Sequence, residues 1–148
     1  MLNQKKKISC LRYQQQCREK QIAFHTDIRK GALHYLSDAD ITAVFCNLLD
    51  NAVEAARKMP DSLIELNVHP KANTPFTVIT MINSCPADPF VSHTLPSSKK
   101  DPSLHGFGLK SVQRTAKRYH GSTKVYYDEK ERLFHTIVML KEPCKEFP

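Results

Sequence analysis

The chain has 148 residues, of which 41% are hydrophobic and 25% charged, ordinary values for one globular domain that buries a real core. Its formal charge of +7 fits a solvated basic surface or an anionic ligand or partner equally well. Nucleic acid is disfavoured, because Trp is missing, aromatics do not interleave with the basic residues, and no RNP-like, zinc-finger or basic-zipper pattern occurs. No apolar run approaches the about 18–20 residues of a membrane span, no apolar stretch follows Lys5, Lys6 and Lys7 as a signal peptide requires, and five cysteines without a CxxC pair argue for a reducing compartment over a zinc site or disulfide framework.

Residues 1–20 are polar, Gln- and Lys-rich and free of Gly and Pro, and read as a helical stub. Residues 22–28 alternate, with Ile22, Phe24 and Ile28 apolar on one face, which predicts a strand. Ser37 and Asp40 form a capping-box-like start to a helix that runs to about Lys58, just before Pro60. Its apolar positions (Ile41, Val44, Phe45, Leu48, Leu49, Ala52, Val53 and Ala56) have helical periodicity, and Cys46 falls among them as core. Residues 62–68 alternate as a strand. Residues 76–82 are apolar on both faces, which predicts a central strand covered on both sides. The Pro-flanked stretch 70–75 between them predicts a hairpin loop.

From Asn83 to about His105 the pattern dissolves into a stretch with four prolines, Pro86, Pro89, Pro96 and Pro102. Long loops of this kind tend to be lids or binding loops. A second helix opens at Gly106-Phe107-Gly108, shows Leu109, Val112, Ala116 and Tyr119 on one face, and is expected to stop with Gly121 at the C′ position. Two strands follow, near 123–127 and 133–140, joined by a charged turn at 128–131. The order predicts an α+β fold, a two-layer sandwich with helices on one face of a mixed, mostly antiparallel sheet.

Two segments carry chemistry. Asn47, Asp50, Asn51 and Glu54 stand at i, i+3, i+4 and i+7, one polar stripe on an otherwise apolar helix. A solvent-facing stripe would ordinarily be built from Lys, Glu, Arg and Gln, whereas Asn and Asp are poor mid-helix formers. Amide and carboxylate oxygens are hard ligands that suit Mg²⁺ bound to phosphates. The second segment is Gly106-Phe107-Gly108-Leu109, with Lys99, Lys100, His105 and Lys110 around it. Glycines before a helix let backbone N–H groups approach an anion, and the helix N-terminus adds a favourable partial charge.

In this order, separated by a central strand and a long loop, the two segments resemble the GHKL ATP-binding superfamily, which includes DNA gyrase, heat-shock chaperones, MutL repair proteins and histidine kinases. Residues 47–56 (NLLDNAVEAA) look like its N box, and the HGFGLKSV stretch looks like its second glycine box. The resemblance covers about residues 21–140. Within the superfamily the chain is most similar to the catalytic domain of peptide-sensing histidine kinases of the AgrC/VirS type, on the N box, the HGxGLxSV pattern and the closing Lys117-Arg118-Tyr119-His120-Gly121.

The resemblance implies a Bergerat-type fold over residues 21–141, with 1–20 as the end of an upstream dimerisation domain and 142–148 as a tail. It implies ATP and Mg²⁺ as cofactors. Asn51 would coordinate Mg²⁺, Asn47 would sit at the phosphates as the catalytic position, and Asp50 and Glu54 would make supporting polar contacts. Gly106, Phe107, Gly108 and Leu109 would hold the phosphates, and Lys99, Lys100 and His105 would reach the γ-phosphate from the lid. Hydrolysing members carry Glu where this chain has Asn47, and Asn cannot act as a general base for water. Such a site holds ATP for attack by a histidine, with catalysis by positioning and charge stabilisation.

Two departures stand out. The superfamily's Asp-x-Gly-x-Gly box, whose Asp recognises adenine, is replaced by Ile82-Asn83-Ser84-Cys85-Pro86, so adenine recognition passes to Asn83. Many histidine kinases carry a basic residue at the position of Glu54. The phosphoacceptor histidine is expected on a separate dimerisation domain, since residues 1–20 contain none and His25 and His34 read as ordinary surface residues. The chain alone is therefore expected to bind nucleotide without phosphorylating itself, as the cytoplasmic piece of a membrane sensor that signals to a response regulator. The alternatives are a degenerate GHKL-fold binding module, suggested by the replaced box, and a GHKL ATPase switch, which Asn47 disfavours.

Overall fold

The computed structural model describes residues 4–90 and 108–144. The elements follow in the order α1 (Gln4–Glu19), β1 (Ala23–Ile28), α2 (Asp38–Ala56), β2 (Leu63–Pro70), β3 (Phe76–Ser84), α3 (Gly108–Arg118), β4 (Ser122–Asp128) and β5 (Leu133–Lys141). The five strands form one sheet in the order β1-β2-β3-β5-β4. β1 runs parallel to β2 across the α2 crossover, and every other pair is antiparallel. This is the predicted α+β sandwich with a mixed, mostly antiparallel sheet.

The core lies between the sheet and the helices. Ile64, Leu66 and Val68 of β2, Ile79 and Met81 of β3, and Val138 and Leu140 of β5 turn one face toward Leu48, Leu49, Ala52 and Val53 of α2 and Val112 and Ala116 of α3. Tyr13 and Cys17 of α1 join the same cluster. Burial in β3 alternates strictly along residues 76–83, so the expectation of cover on both sides does not hold. The second face, with Val78, Thr80 and Ile82, is half-buried. These side chains shade one another and their cross-strand neighbours Met139, Ile137 and His135, which makes an apolar second face tolerable without another layer.

Ser37 caps α2, its Oγ accepting from the Asp40 N–H at 3.1 Å, which satisfies one of the unpaired donors of the first turn. The Asp40 carboxylate then reaches α3, accepting from Arg118 at 2.7 Å and from the Tyr119 hydroxyl at 2.5 Å. These bonds fix the start of α2 to the end of α3. The α2 helix ends at Ala56, with Arg57 as its C-cap. Cys46 sits half-buried at the core's edge.

The end of α3 corrects the expectation for Gly121. The Gly121 N–H bonds the Ala116 carbonyl at 2.8 Å and the His120 N–H bonds the Lys117 carbonyl at 3.0 Å, a Schellman motif. The C′ residue with positive φ is His120, at 53°. Gly121 follows it at C″, where a Cβ would stand 1.7 Å from the Met139 carbonyl oxygen. The glycine is required by close approach to β5, not by its own φ.

Candidate functional site

The polar stripe of α2 faces the start of α3. Leu48, Leu49, Ala52 and Val53 are buried, and their burial fixes the rotation of the helix. Asn47, Asn51 and Glu54 are left half-buried on the neighbouring face, with Asp50 more exposed beside them. Asn47 donates through Nδ2 to the Ala43 carbonyl at 2.6 Å. That bond leaves its Oδ1 as the group offered outward, an acceptor and a hard ligand.

Gly108 closes the opposite side. A Cβ on Gly108 would stand 3.1 Å from Asn51 Nδ2 and 3.5 Å from Asn47 Oδ1. Two segments more than fifty residues apart in sequence are thus in contact, and the absence of a side chain at 108 keeps the space between them open. The N-terminus of α3 begins there, with no acidic residue in its first turn and Lys117 and Arg118 in its last. Its leading N–H groups favour an anion. The cleft has a volume of about 670 Å³ and is lined by Asn47, Asp50, Asn51, Glu54 and Arg57, by Gly108 and Ser111, and by Gln16 of α1 and Lys20 just after it.

The two carboxylates of the stripe are engaged. Asp50 Oδ1 accepts from the Tyr13 hydroxyl at 2.6 Å, while Arg12 donates to the same hydroxyl at 3.0 Å. Burial, reinforced by the hydrogen bond to Asp50, pushes the Tyr13 phenol well above its ordinary range. Glu54 accepts from Arg57 at 2.9 and 2.7 Å, and this guanidinium holds its carboxyl below the usual range. Among the described residues no three His, Cys, Asp or Glu side chains converge on a metal position. A divalent cation here would rest on amide oxygen and on the phosphates of a ligand, the donor set that Mg²⁺ accepts.

A smaller cavity of about 60 Å³ adjoins the cleft through Asn51. Its walls are mostly apolar, from Leu48, Ala55, Met81, Leu109 and Phe134, with Asn83 and Thr136 as polar positions. Asn83 is only 4% exposed, and its Nδ2 donates to the Ser84 carbonyl at 3.1 Å. That bond sets the amide so that Oδ1 is the acceptor left for a ligand. Cys85 also lines this cavity, where its thiol donates to the Ala87 carbonyl and burial pushes it up. Leu109 therefore stands in the wall of the apolar cavity. Lys99, Lys100, His105, Gly106 and Phe107 lie outside the described residues.

Sequence reasoning missed the contributions of Gln16, Lys20, Arg57 and Ser111 to the cleft and of Met81 and Thr136 to the cavity. Met81 and Thr136 pair across β3 and β5, a register that no local pattern announces. For α1 a signal was present: Cys10, Tyr13 and Cys17 recur at i, i+3 and i+7, one face of a helix.

The two-layer sandwich thus carries a polar cleft among its helices and, sharing Asn51 with it, a mostly apolar cavity between α2 and the sheet. The sequence profile of the GHKL domain family matches residues 36–141, so the chain belongs to that family. Among solved structures, the catalytic domain of histidine kinase ThkA in a nucleotide-free form is similar over 89% of this chain and 87% of that one, with a TM-score of 0.65 and 18% identity. The mycobacterial sensor histidine kinase MprB is similar over 90% of this chain and 92% of that one, with a TM-score of 0.63 and 16% identity. The full-length ShkA structure in complex with AMPPNP gives a TM-score of 0.61 and 14% identity, over 84% of this chain and 26% of that one. The comparison with curated proteins finds no match.

Proposed function

We propose that the chain is the ATP-binding catalytic domain of a two-component sensor histidine kinase, which presents the γ-phosphate of ATP to a histidine on a separate dimerisation domain. The contact of Gly108 with Asn47 and Asn51 carries this reading. It puts an anion-favouring helix N-terminus against the side-chain amides of Asn47 and Asn51, and a mostly apolar cavity adjoins the cleft at Asn51. ATP bound with Mg²⁺ supplies the phosphoryl group. Asn51 holds the cation and Asn47 Oδ1 orients the phosphate assembly. The adenine ring enters the cavity, where Asn83 Oδ1 accepts from its amino group. Gly108 and Leu109 line the two cavities, and the motif resemblance assigns phosphate contacts to Gly106 and Phe107 and to Lys99, Lys100 and His105 as well.

Asn at position 47 supports phosphotransfer over hydrolysis, because an amide takes no proton from water. The upstream helix α1 fits the role of a connection to the dimerisation domain, and through it to a response regulator. The motif resemblance at 47–56 and 106–109 supports a cytoplasmic module of the AgrC/VirS type. Among the described residues no helix is long and apolar enough to cross a membrane. A degenerate binding module is the second reading, favoured by Asn83 in place of an acidic residue.

Calorimetric titration with ATP and ADP, with and without Mg²⁺, tests the proposal. Saturable Mg²⁺-dependent binding is expected, and Asn51→Ala is expected to remove that dependence while the fold persists. Absence of binding at millimolar nucleotide favours the degenerate module, and steady phosphate release favours the ATPase switch.

A further inference from the structure

We infer that Lys20, at the end of α1, is a phosphate-contacting residue that gives the cleft its preference for a polyphosphate over an uncharged nucleoside; this rests on the ATP-site reading above. Among the described residues the charged side chains lining the cleft are Lys20, Asp50, Glu54 and Arg57, which sum to zero. A nucleotide triphosphate brought into a cleft holding two carboxylates gains, beyond its bound Mg²⁺, from a side-chain cation that is not already paired. Arg57 is committed, since both its bonds go to Glu54. Lys20 feels the Glu54 carboxylate across the cleft but makes no ion pair with a described residue, and its exposed side chain lines the same cleft as Gly108.

The backbone beneath Lys20 is held firmly. The Ile22 N–H bonds the Cys17 carbonyl at 2.7 Å and the Gln21 N–H bonds the Arg18 carbonyl at 3.2 Å, with Gln21 at a φ of 59°. This Schellman motif ends α1 at a fixed point. Tyr13, Cys17 and Ile22 are buried on either side of it, so the root of the Lys20 side chain cannot drift from the cleft. The helix is therefore part of the binding site, although it lies before the residues matched by the family profile. A bland role for Lys20, a cation at the C-terminus of α1, would affect the helix and be indifferent to the ligand.

The test compares Lys20→Gln with Lys30→Gln, which removes the same charge from an exposed turn outside the cleft, and with Lys20→Arg. Binding of Mg²⁺-ATP and of adenosine is titrated for each chain at low and at high salt. Lys20→Gln is expected to weaken ATP about three- to fivefold, as a partly solvated charge contact does, with adenosine unchanged. The loss should shrink as salt screens the contact, and Lys20→Arg should restore most of the affinity. The inference is overturned if Lys20→Gln leaves ATP unchanged, weakens adenosine equally, or is matched by Lys30→Gln. In those cases the wild-type chain still binds ATP and the functional reading stands. A wild-type chain that binds no ATP overturns both.

Discussion

The phenol of Tyr13 donates to Asp50 Oδ1 across 2.6 Å, and this bond ties α1 to the helix that carries the polar stripe. Tyr13 is wholly buried, so its ring anchors the contact while its hydroxyl sets the position of a carboxylate in the cleft. A displacement of α1 would disturb Asp50 and Lys20 together.

Tyr13→Phe keeps the ring and deletes the bond to a partly solvated carboxylate. It should cost about 1 kcal/mol and lower Tm by about 3 °C. Tyr13→Ala removes the ring as well and should cost about 3–5 kcal/mol. The raised phenol adds a pH signature. The folded value lies above the unfolded one, so the stabilisation is full below about pH 10 and fades as pH climbs toward the folded value. Urea melts at alkaline pH should show a shallower decline in Tyr13→Phe than in wild type.

Asn83 is where this chain departs from the acidic residue of the superfamily pattern, and the geometry explains what the amide does. Its Nδ2 faces the Ser84 carbonyl. Asn83→Asp would set two acceptors against each other in a buried place, at a cost of about 1–3 kcal/mol. That variant should therefore melt earlier. Asn83→Ala should melt nearer to wild type but lose about tenfold in ATP affinity, roughly 1.4 kcal/mol, and narrow the preference for ATP over GTP in competition titrations.

The legible parts of the sequence were those in which local pattern and tertiary environment agree. The spacing of Ile41, Val44, Leu48, Leu49 and Ala52 fixes α2, and Ser37 caps it as expected. The Asn47–Asn51 stripe was visible because Asn is out of place in mid-helix. Contacts across the fold were not legible. Nothing local places β5 between β3 and β4 or says that Gly121 meets the Met139 backbone. The helix α1 reads as solvated because Gln and Lys dominate it, and its buried face is only Tyr13 and Cys17 among described side chains. The apolar second face of β3 misled, because cross-strand shading looks in sequence like a second layer.

Asp40 predicts the acid limb of stability. The Tyr119 hydroxyl first, then Arg118 and Ser37, hold its carboxyl below the ordinary value of 3.8. The folded value is thus lower than the unfolded one. Its contribution is present above about pH 4 and is lost as pH falls through the folded value. Urea midpoints measured from pH 7 down to pH 2 should fall at the acid end, and Asp40→Asn should flatten that fall while lowering the neutral plateau. Arg57→Gln should flatten it much less, because the Arg57–Glu54 pair is largely open to solvent.

Two glycines at the two ends of one helix make opposite predictions. At Gly108 an added methyl meets the amide of Asn51 at 3.1 Å, the far end of a side chain that can swing aside. Ala there also improves helix propensity by up to about 1 kcal/mol. Gly108→Ala should fold with unchanged or slightly raised Tm, yet lose about tenfold in ATP affinity, because the methyl and the displaced Asn51 occupy the space between α2 and α3. At Gly121 the same methyl meets the Met139 carbonyl oxygen at 1.7 Å and its carbon at 2.6 Å. Backbone in a central part of the sheet cannot yield without opening the β4–β5 ladder. Gly121→Ala should cost about 3 kcal/mol or more, a fall in Tm of about 10 °C. Thermal melts and ATP titrations on the pair separate the two roles. A Gly108→Ala chain that binds ATP as wild type would remove the α2–α3 cleft as the phosphate site.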